Sequence, residues 1–249
     1  MVDLKDFIVK GIKELVVDSQ NTRYRESIVA FADVEDPEFK EIKSMTHENH
    51  LLPTDWMPTG KTVVSFFIPF TKELMMINKE HGYVAKEWAI AYIESNNLIK
   101  EICSKTAEKL KEYGIGAVWQ LPDQNFDEEK LMSYWSQRHA AYIAGLGTFG
   151  INNMLITDKG CLGRYGSFII DYRIEPSVKN RKEKCLYMLN RSCGKCMELC
   201  PVGALSKQGF DRYKCNQRVW AVDEYYSDLA TCDCCGKCLL GPCAVLERS

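Results

Sequence analysis

The apolar positions in residues 4–16 fall at Leu4, Phe7, Ile8, Ile12 and Leu15, a spacing that predicts a helix with one buried face. The run Thr62-Val-Val-Ser-Phe-Phe-Ile-Pro-Phe70 is almost continuously apolar and rich in β-branched and aromatic residues, so it predicts a short strand covered on both faces. Residues 83–113 predict a long helix, with Trp88, Ala91, Tyr92, Leu98, Ile102 and Leu110 on or near one side and Gly114 as its stop. Residues 117–121 predict a strand. Residues 127–144 predict a helix whose first turn holds Asp127, Glu128 and Glu129, where the positive end of the dipole favours anions. Residues 154–157 and 167–171 predict two strands around a glycine-rich turn, while Met75 and Met76 read as core. The sum is an α+β chain, with an α/β part over residues 1–184 and a small, loop-rich part over residues 185–249.

Composition narrows this picture. Of 249 residues, 46% are hydrophobic and 27% charged, which describes a soluble globular protein and excludes a disordered, collagen-like or low-complexity chain. The net charge is -2, from 32 basic and 34 acidic residues, and does not favour nucleic acid as a partner. The balance is mild on both sides of residue 184, so the chain changes its chemistry there without changing its electrostatics. The first residues are broken by charges every few positions and show no secretory apolar core. The longest apolar run is about half a bilayer span. The expectation is a cytoplasmic protein with no membrane partner.

Of the 12 Cys, only Cys103 and Cys161 precede residue 185; the rest lie between Cys185 and Cys243. Without a secretory segment, such crowding points to metal or cluster ligation rather than to disulfides. Cys193-Gly-Lys-Cys196-Met-Glu-Leu-Cys200-Pro201 has the form C-x2-C-x3-C-P, the closing half of the bacterial ferredoxin run, in which the last Cys belongs to the other cluster. Further on stand Cys215 and Cys232-Asp-Cys234-Cys235-Gly-Lys-Cys238-Leu-Leu-Gly-Pro-Cys243. Crossed ligation assigns Cys185, Cys193, Cys196 and Cys243 to one 4Fe–4S cube, and Cys200, Cys215, Cys235 and Cys238 to a second. Cys232 rivals Cys215, because Cys232-x2-Cys235-x2-Cys238 also scans as a ferredoxin run. Zinc in paired knuckles is the competing chemistry, but it does not account for the C-x3-C-P ending or the interleaving. Cys103 and Cys161 read as packing residues.

Gly145-Leu-Gly147-Thr-Phe-Gly150 matches G-x-G-x-x-G, yet a helix is predicted before it and a strand after it, the reverse of the dinucleotide fingerprint. The glycines serve either as a helix cap and tight turn or as a close approach of backbone to a flat or anionic ligand. The stretch Arg138-His-Ala-Ala-Tyr-Ile-Ala-Gly-Leu-Gly-Thr-Phe-Gly-Ile-Asn152, followed by Gly166-Ser-Phe-Ile-Ile-Asp171 and the doubled cysteine motif, resembles the epoxyqueuosine reductase family, relatives of the reductive dehalogenases. The resemblance runs over about residues 133–243. It implies a nitroreductase-like α/β domain that holds cobalamin, followed by a ferredoxin-like domain whose two 4Fe–4S clusters feed the cobalt.

On that resemblance Gly145, Gly147, Gly150, Asn152 and Arg164 are the expected cofactor-binding residues. Ile151 stands where the family usually has Lys, and Leu131 falls where its proton-donating Asp is counted, so another acid must act. Tyr134, Arg138 and His139, on the helix predicted before the loop, are the catalytic candidates: a phenol, a guanidinium to neutralise a substrate or cofactor group, and an imidazole to deliver a proton. None of His47, His50, His81 and His139 has Asp two positions before it, so a mobile-His cobalamin motif is not present. The expected activity is an iron–sulfur reduction of a small-molecule or modified-nucleoside substrate, supplied by an external donor such as ferredoxin or flavodoxin. Many family members carry a C-terminal extension that helps hold tRNA, whereas this sequence ends six residues after Cys243; tRNA stays open as a substrate. The alternatives are an electron-transfer or corrinoid-activating protein without its own substrate, and a reductase that uses FMN.

Overall fold

The computed structural model describes residues 3–19, 24–46, 48–119 and 126–246. Helix α1 (Leu4–Asp18), strand β1 (Ile28–Asp33), helices α2 (Glu38–Thr46) and α3 (Pro53–Trp56), strand β2 (Thr62–Pro69), helices α4 (Lys72–Glu80) and α5 (Lys86–Lys111) and strand β3 (Ala117–Val118) come first. The hairpin β4 (Phe126–Asp127) with β5 (Met132–Ser133), helix α6 (Gln137–Ile143), the hairpin β6 (Gly147–Phe149) with β7 (Leu155–Thr157) and strand β8 (Gly163–Ile170) follow. The cysteine-rich part holds helices α7 (Leu186–Asn190) and α8 (Lys195–Glu198), the hairpin β9 (Leu205–Ser206) with β10 (Gly209–Phe210), helix α9 (Arg212–Tyr225) and a 3-10 turn at Lys237–Leu239.

The central sheet is antiparallel, in the order β1-β2-β8-β3, with Ala30 opposite Ser65 and Val63 opposite Ile169. Every residue of β2 is buried, as its continuous apolar run demands. Val64, Phe66 and Ile68 pack on one face with Ile8 and Ile12 of α1 and Leu98 and Ile102 of α5. Val63 and Phe67 pack on the other with Phe39 and Ile42 of α2 and Ala140 and Ile143 of α6. Helices thus cover both faces of the sheet. No helix among the described residues is long and apolar enough to cross a membrane.

A third core forms where β2 ends and β8 begins. Phe70, Leu74, Trp88 and Leu162 pack there with Cys232, Leu239, Leu240 and Ala244, so buried structure runs across residue 184. Backbone hydrogen bonds join the same regions: Cys161 N–H donates to the Cys243 carbonyl at 3.0 Å and Leu162 N–H to that of Ala244 at 3.0 Å. Gly160 has φ +95°, and a Cβ there would collide with the Ala244 carbonyl.

One sequence expectation needs correcting. Residues 127–144 are not one helix. The Asp127 carboxylate accepts from the N–H groups of Glu129 at 3.1 Å and Lys130 at 2.8 Å, and Leu131 sits at φ +50°. That turn closes the β4–β5 hairpin and leaves the helix to start at Gln137, capped by Ser136. The helix expected before the glycine stretch does end there, with Gly145 (φ +90°) following α6 as a cap, but Gly147 opens strand β6 rather than continuing a turn. Elsewhere α5 ends before Gly114 (φ +72°) as expected. The strand expected at 117–121 covers Ala117–Val118, whereas Leu121 and His47 lie outside the described residues.

Gly147 opposes Thr157 across the β6–β7 hairpin, and a Cβ there would collide with the Ile156 carbonyl. Gly147→Val should therefore force the hairpin apart at a cost of about 2 kcal/mol or more. Thermal unfolding followed by circular dichroism should show the midpoint falling by about 4–8 °C. An unchanged midpoint contradicts this packing role.

Candidate functional site

Cys185 caps the start of α7, Cys193 stands just before α8 and Cys196 within it, and Cys243 is fixed by its carbonyl's bond from Cys161. These four thiols line one cavity of about 160 Å³. As a free thiol Cys196 is pushed up to about 11, by burial first and then by the nearness of Cys243, Cys185 and Cys193. The β6–β7 hairpin abuts this cavity. Asn152 lines it, is buried, and donates from Nδ2 to the Cys238 carbonyl at 3.3 Å; a Cβ on Gly150 would lie 3.6 Å from the Cys185 sulfur. Cys161, which the sequence offered only as packing, has its sulfur 3.8 Å from that of Cys243. Its thiol proton points to Cys243, which holds the Cys161 pKa up and the Cys243 pKa down.

A second quartet gathers around α9. Cys215 lies in its first turn, and the Cys200 sulfur accepts the Ala204 N–H at 3.2 Å. Cys238 is pushed up to about 12 by burial and then by Cys235, Cys215 and Cys200, and Cys215 is raised by burial and then by Cys235 and Cys200. Cys232 has other neighbours. Its N–H donates to Asp223 at 2.6 Å, and after burial its thiol feels Asp223 and Asp233. Cys200, Cys215 and Cys235 are thus the thiols that act on Cys238, and Cys232 is not among them. Among the described residues, no three His, Cys, Asp or Glu side chains converge closely enough to hold a single metal ion.

Beside the second quartet lies a cavity of about 450 Å³. Phe70, Trp88, Met154 and Leu239 give it apolar walls; Gln137, Arg138, Arg164 and Asp233 supply polar groups, and Cys234 and Cys235 border it. Arg138 donates to the Asn153 carbonyl at 2.9 Å, and burial draws its pKa down against the opposing pull of Tyr165 and Cys238. Arg164 donates to Asn96 at 2.5 Å and lies 4.3 Å from the centre of the Tyr92 ring. The Tyr92 hydroxyl donates to Asp233 at 2.6 Å, and burial pushes its pKa up to about 12, with Arg164 opposing and Asp233 reinforcing.

The expected site residues divide. Arg138 and Arg164 line this cavity, and Asn152 lines that of the first quartet. Gly145, Gly147 and Gly150 do not border the larger cavity; their missing side chains admit Val178, Ile156 and Asn152 instead. Tyr134 precedes α6, where its carbonyl accepts the Leu51 N–H at 2.7 Å, and it does not line the cavity. His139 lies on α6 away from the cavity lining, with Nδ1 2.7 Å from the Ser136 hydroxyl and its ring 4.8 Å from that of Phe149. Burial, then Arg138 and His50, hold its pKa down to about 4, so it is neutral near pH 7 and supplies no imidazolium proton there. Tyr92, Gln137 and Asp233 were missed. Tyr92 falls in the apolar stripe of α5, where periodicity alone reads it as core.

No family model matches the sequence, and no curated protein matches it significantly. Solved structures do match. The epoxyqueuosine reductase of Streptococcus thermophilus aligns with a TM-score of 0.65 at 13% identity, covering 100% of this chain and 69% of the other. An epoxyqueuosine reductase bound to an epoxyqueuosine-modified tRNA-Tyr stem loop aligns at 0.61 and 16%, covering 97% and 65%. A reductive dehalogenase whose structure suggests a mechanism for B12-dependent dehalogenation aligns at 0.51 and 17%, covering 76% and 26%. The fold is that of the epoxyqueuosine reductases, shared with reductive dehalogenases. This chain spans about two thirds of the length of the reductases it matches.

The His139 environment carries a pH signature. The unfolded chain protonates this imidazole near pH 6.5 and the folded chain only near pH 4, so folding stability drops as pH falls through that window. The loss reaches about 3 kcal/mol at its lower end. Denaturant titrations of the wild type and His139→Gln across this range should show the variant with the flatter curve. Identical curves contradict the buried neutral imidazole.

Proposed function

We propose that this chain is an iron–sulfur oxidoreductase in which two 4Fe–4S cubes supply electrons to a corrinoid held at the 450 Å³ cavity, for reduction of a small or nucleoside-type substrate. One observation carries this reading: Cys235 stands with the second quartet and also lines the cavity, so the electron donor and the reacting site share a wall. Residues 1–184 are then the nitroreductase-like part that holds cofactor and substrate, and residues 185–249 the ferredoxin-like part that supplies electrons.

The donor sets fit the cubes. Four thiols line the smaller cavity, and an N–H···S bond to Cys200 is of the kind that tunes cluster potential. The C-x3-C-P ending and the interleaved order of the cysteines favour cubes over paired zinc knuckles. The larger cavity fits one side of a corrinoid. Its volume lies in the range that encloses drug-sized ligands, so only part of a corrinoid would be enclosed there. Gln137, Arg138 and Arg164 offer hydrogen-bond donors to amide or phosphate groups at its rim. The B12-dependent neighbour supports a corrinoid over FMN in this fold, and the neighbour bound to tRNA supports a modified nucleoside as the substrate class.

When bound, the corrinoid supplies a strongly reducing cobalt centre. The chain's own residues supply charge and protons. Arg138 and Arg164 place two guanidinium groups at the cavity, which stabilise negative charge that develops on a substrate as it accepts electrons. Tyr92 keeps its proton at neutral pH, shared with the Asp233 carboxylate, and would supply it to that developing charge only once the bond to Asp233 opens. Tyr92 thereby takes the acid role expected of Tyr134 or His139.

Anaerobic, cluster-loaded protein titrated with hydroxocobalamin should give a saturable change in the corrinoid spectrum. Tyr92→Phe should keep its iron and that spectral change, while reduction of epoxyqueuosine, free or in a tRNA stem loop, slows by about 10²- to 10⁴-fold. Absence of a spectral change contradicts the corrinoid reading. Full activity in Tyr92→Phe contradicts the proton assignment.

A further inference from the structure

A groove of about 610 Å³ lies between α4, α8 and the segment that carries Cys243. Lys72, Met75 and Lys79 line it from α4, at positions i, i+3 and i+7, so they share one helix face. Lys195 and Glu198 line it from α8, paired with each other at 2.6 Å. All three lysines are exposed. With three lysines against one glutamate the groove is positive, on a chain whose net charge is -2. Glu73 and Glu80 of α4 are not among its lining residues. Its floor is apolar, formed by Met75, Leu240, Pro242 and Val245.

What gives this groove meaning is its position. Lys195, Gly241 and Pro242 line it and also line the cavity of Cys185, Cys193, Cys196 and Cys243. The two spaces share a wall, and the second quartet with its larger cavity adjoins the first quartet through α8, which carries Cys196 just before Cys200. We propose that the groove is the docking site of a small acidic one-electron carrier protein of the ferredoxin type, and that electrons pass from it into the first quartet's cluster. This inference rests on the cluster reading above. The lysine rim steers an acidic partner, and the apolar floor lets it approach without leaving buried polar groups unpaired. Each encounter oxidises the carrier by one electron and reduces the cluster by one, with no bond made or broken. A transient carrier needs only a small interface.

The test uses the full, cluster-loaded chain and a reduced acidic ferredoxin in anaerobic stopped flow at low and high salt. The wild type should show a second-order rate that falls steeply with salt. Lys72→Glu/Lys79→Glu should lower the low-salt rate by about tenfold or more and flatten the salt dependence. Photoreduction by deazaflavin, a small reductant with no need to dock, should run as in the wild type. Lys109→Glu/Lys111→Glu changes the net charge equally but sits in the last turn of α5, about 35 Å along that helix from Trp88, which packs against Gly236. It should leave the ferredoxin rate unchanged. Equal rates for the groove variant and the wild type overturn the proposal, as does an equal loss in both charge variants. A slower photoreduction in the groove variant also overturns it, because the lysines would then support the cluster itself. If the protein holds no reducible cluster, the cluster reading fails rather than the docking assignment.

Discussion

The paired backbone of residues 161–162 and 243–244 is the constraint on which the candidate site depends. Two hydrogen bonds hold the final segment against the turn that leads into β8, and the absence of a side chain at Gly160 allows them to form. This pairing carries Cys243 back across the chain to Cys185, Cys193 and Cys196. Arg25 reinforces it by donating to the carbonyls of Lys159 and Phe70. Cys161 lies in the same turn, so the main-chain bonds that position Cys243 also bring a buried thiol proton to its sulfur.

The cysteine-rich part has little core of its own and borrows one. Trp88 packs against Gly236, whose positive φ shapes the second Cys-Gly-Lys-Cys turn. Asn78, fully buried on α4, donates to the Cys235 carbonyl at 3.2 Å and accepts from Ala85 at 3.1 Å. Lys237 donates to the carbonyls of Asn78 and His81, and the Tyr226 hydroxyl to that of Val84. Polar groups buried in this way are costly unless paired, and every one of these bonds except that between Asn78 and Ala85 crosses from the α/β part to the cysteine-rich part. The cavity between the two parts is thus walled by a rigid sheet end on one side and by the second quartet on the other.

Much of this was legible in the sequence because its signals are local. The eight-residue apolar run of β2, the stripe of α5 and the glycine that ends it all translate directly into elements. The spacing of the cysteines suggested two groups of four, and Cys185, Cys193, Cys196 and Cys243, the first of them, line one cavity. Spacing left Cys215 against Cys232 open, because the two differ in long-range placement: Cys215 in the first turn of α9, Cys232 beside Asp223. The helix expected over residues 127–144 failed because an aspartate turn and a serine cap outweighed average periodicity. Tyr92 and Asp233 escaped notice because their pairing spans 141 residues. The glycines were expected at a ligand, yet a side chain at Gly145 or Gly147 would meet the protein's own backbone, and one at Gly150 the side chains of Asn152 and Ile156.

The central claim is that two interleaved quartets each hold a 4Fe–4S cube, with Cys215 in the second. Iron and acid-labile sulfide analysis of anaerobically prepared protein, alongside Cys215→Ser and Cys232→Ser variants, tests it most directly. The account predicts about eight iron and eight sulfide per chain in the wild type and in Cys232→Ser, and about four of each in Cys215→Ser. Zinc without sulfide, or loss of iron from Cys232→Ser while Cys215→Ser keeps its full complement, would contradict it.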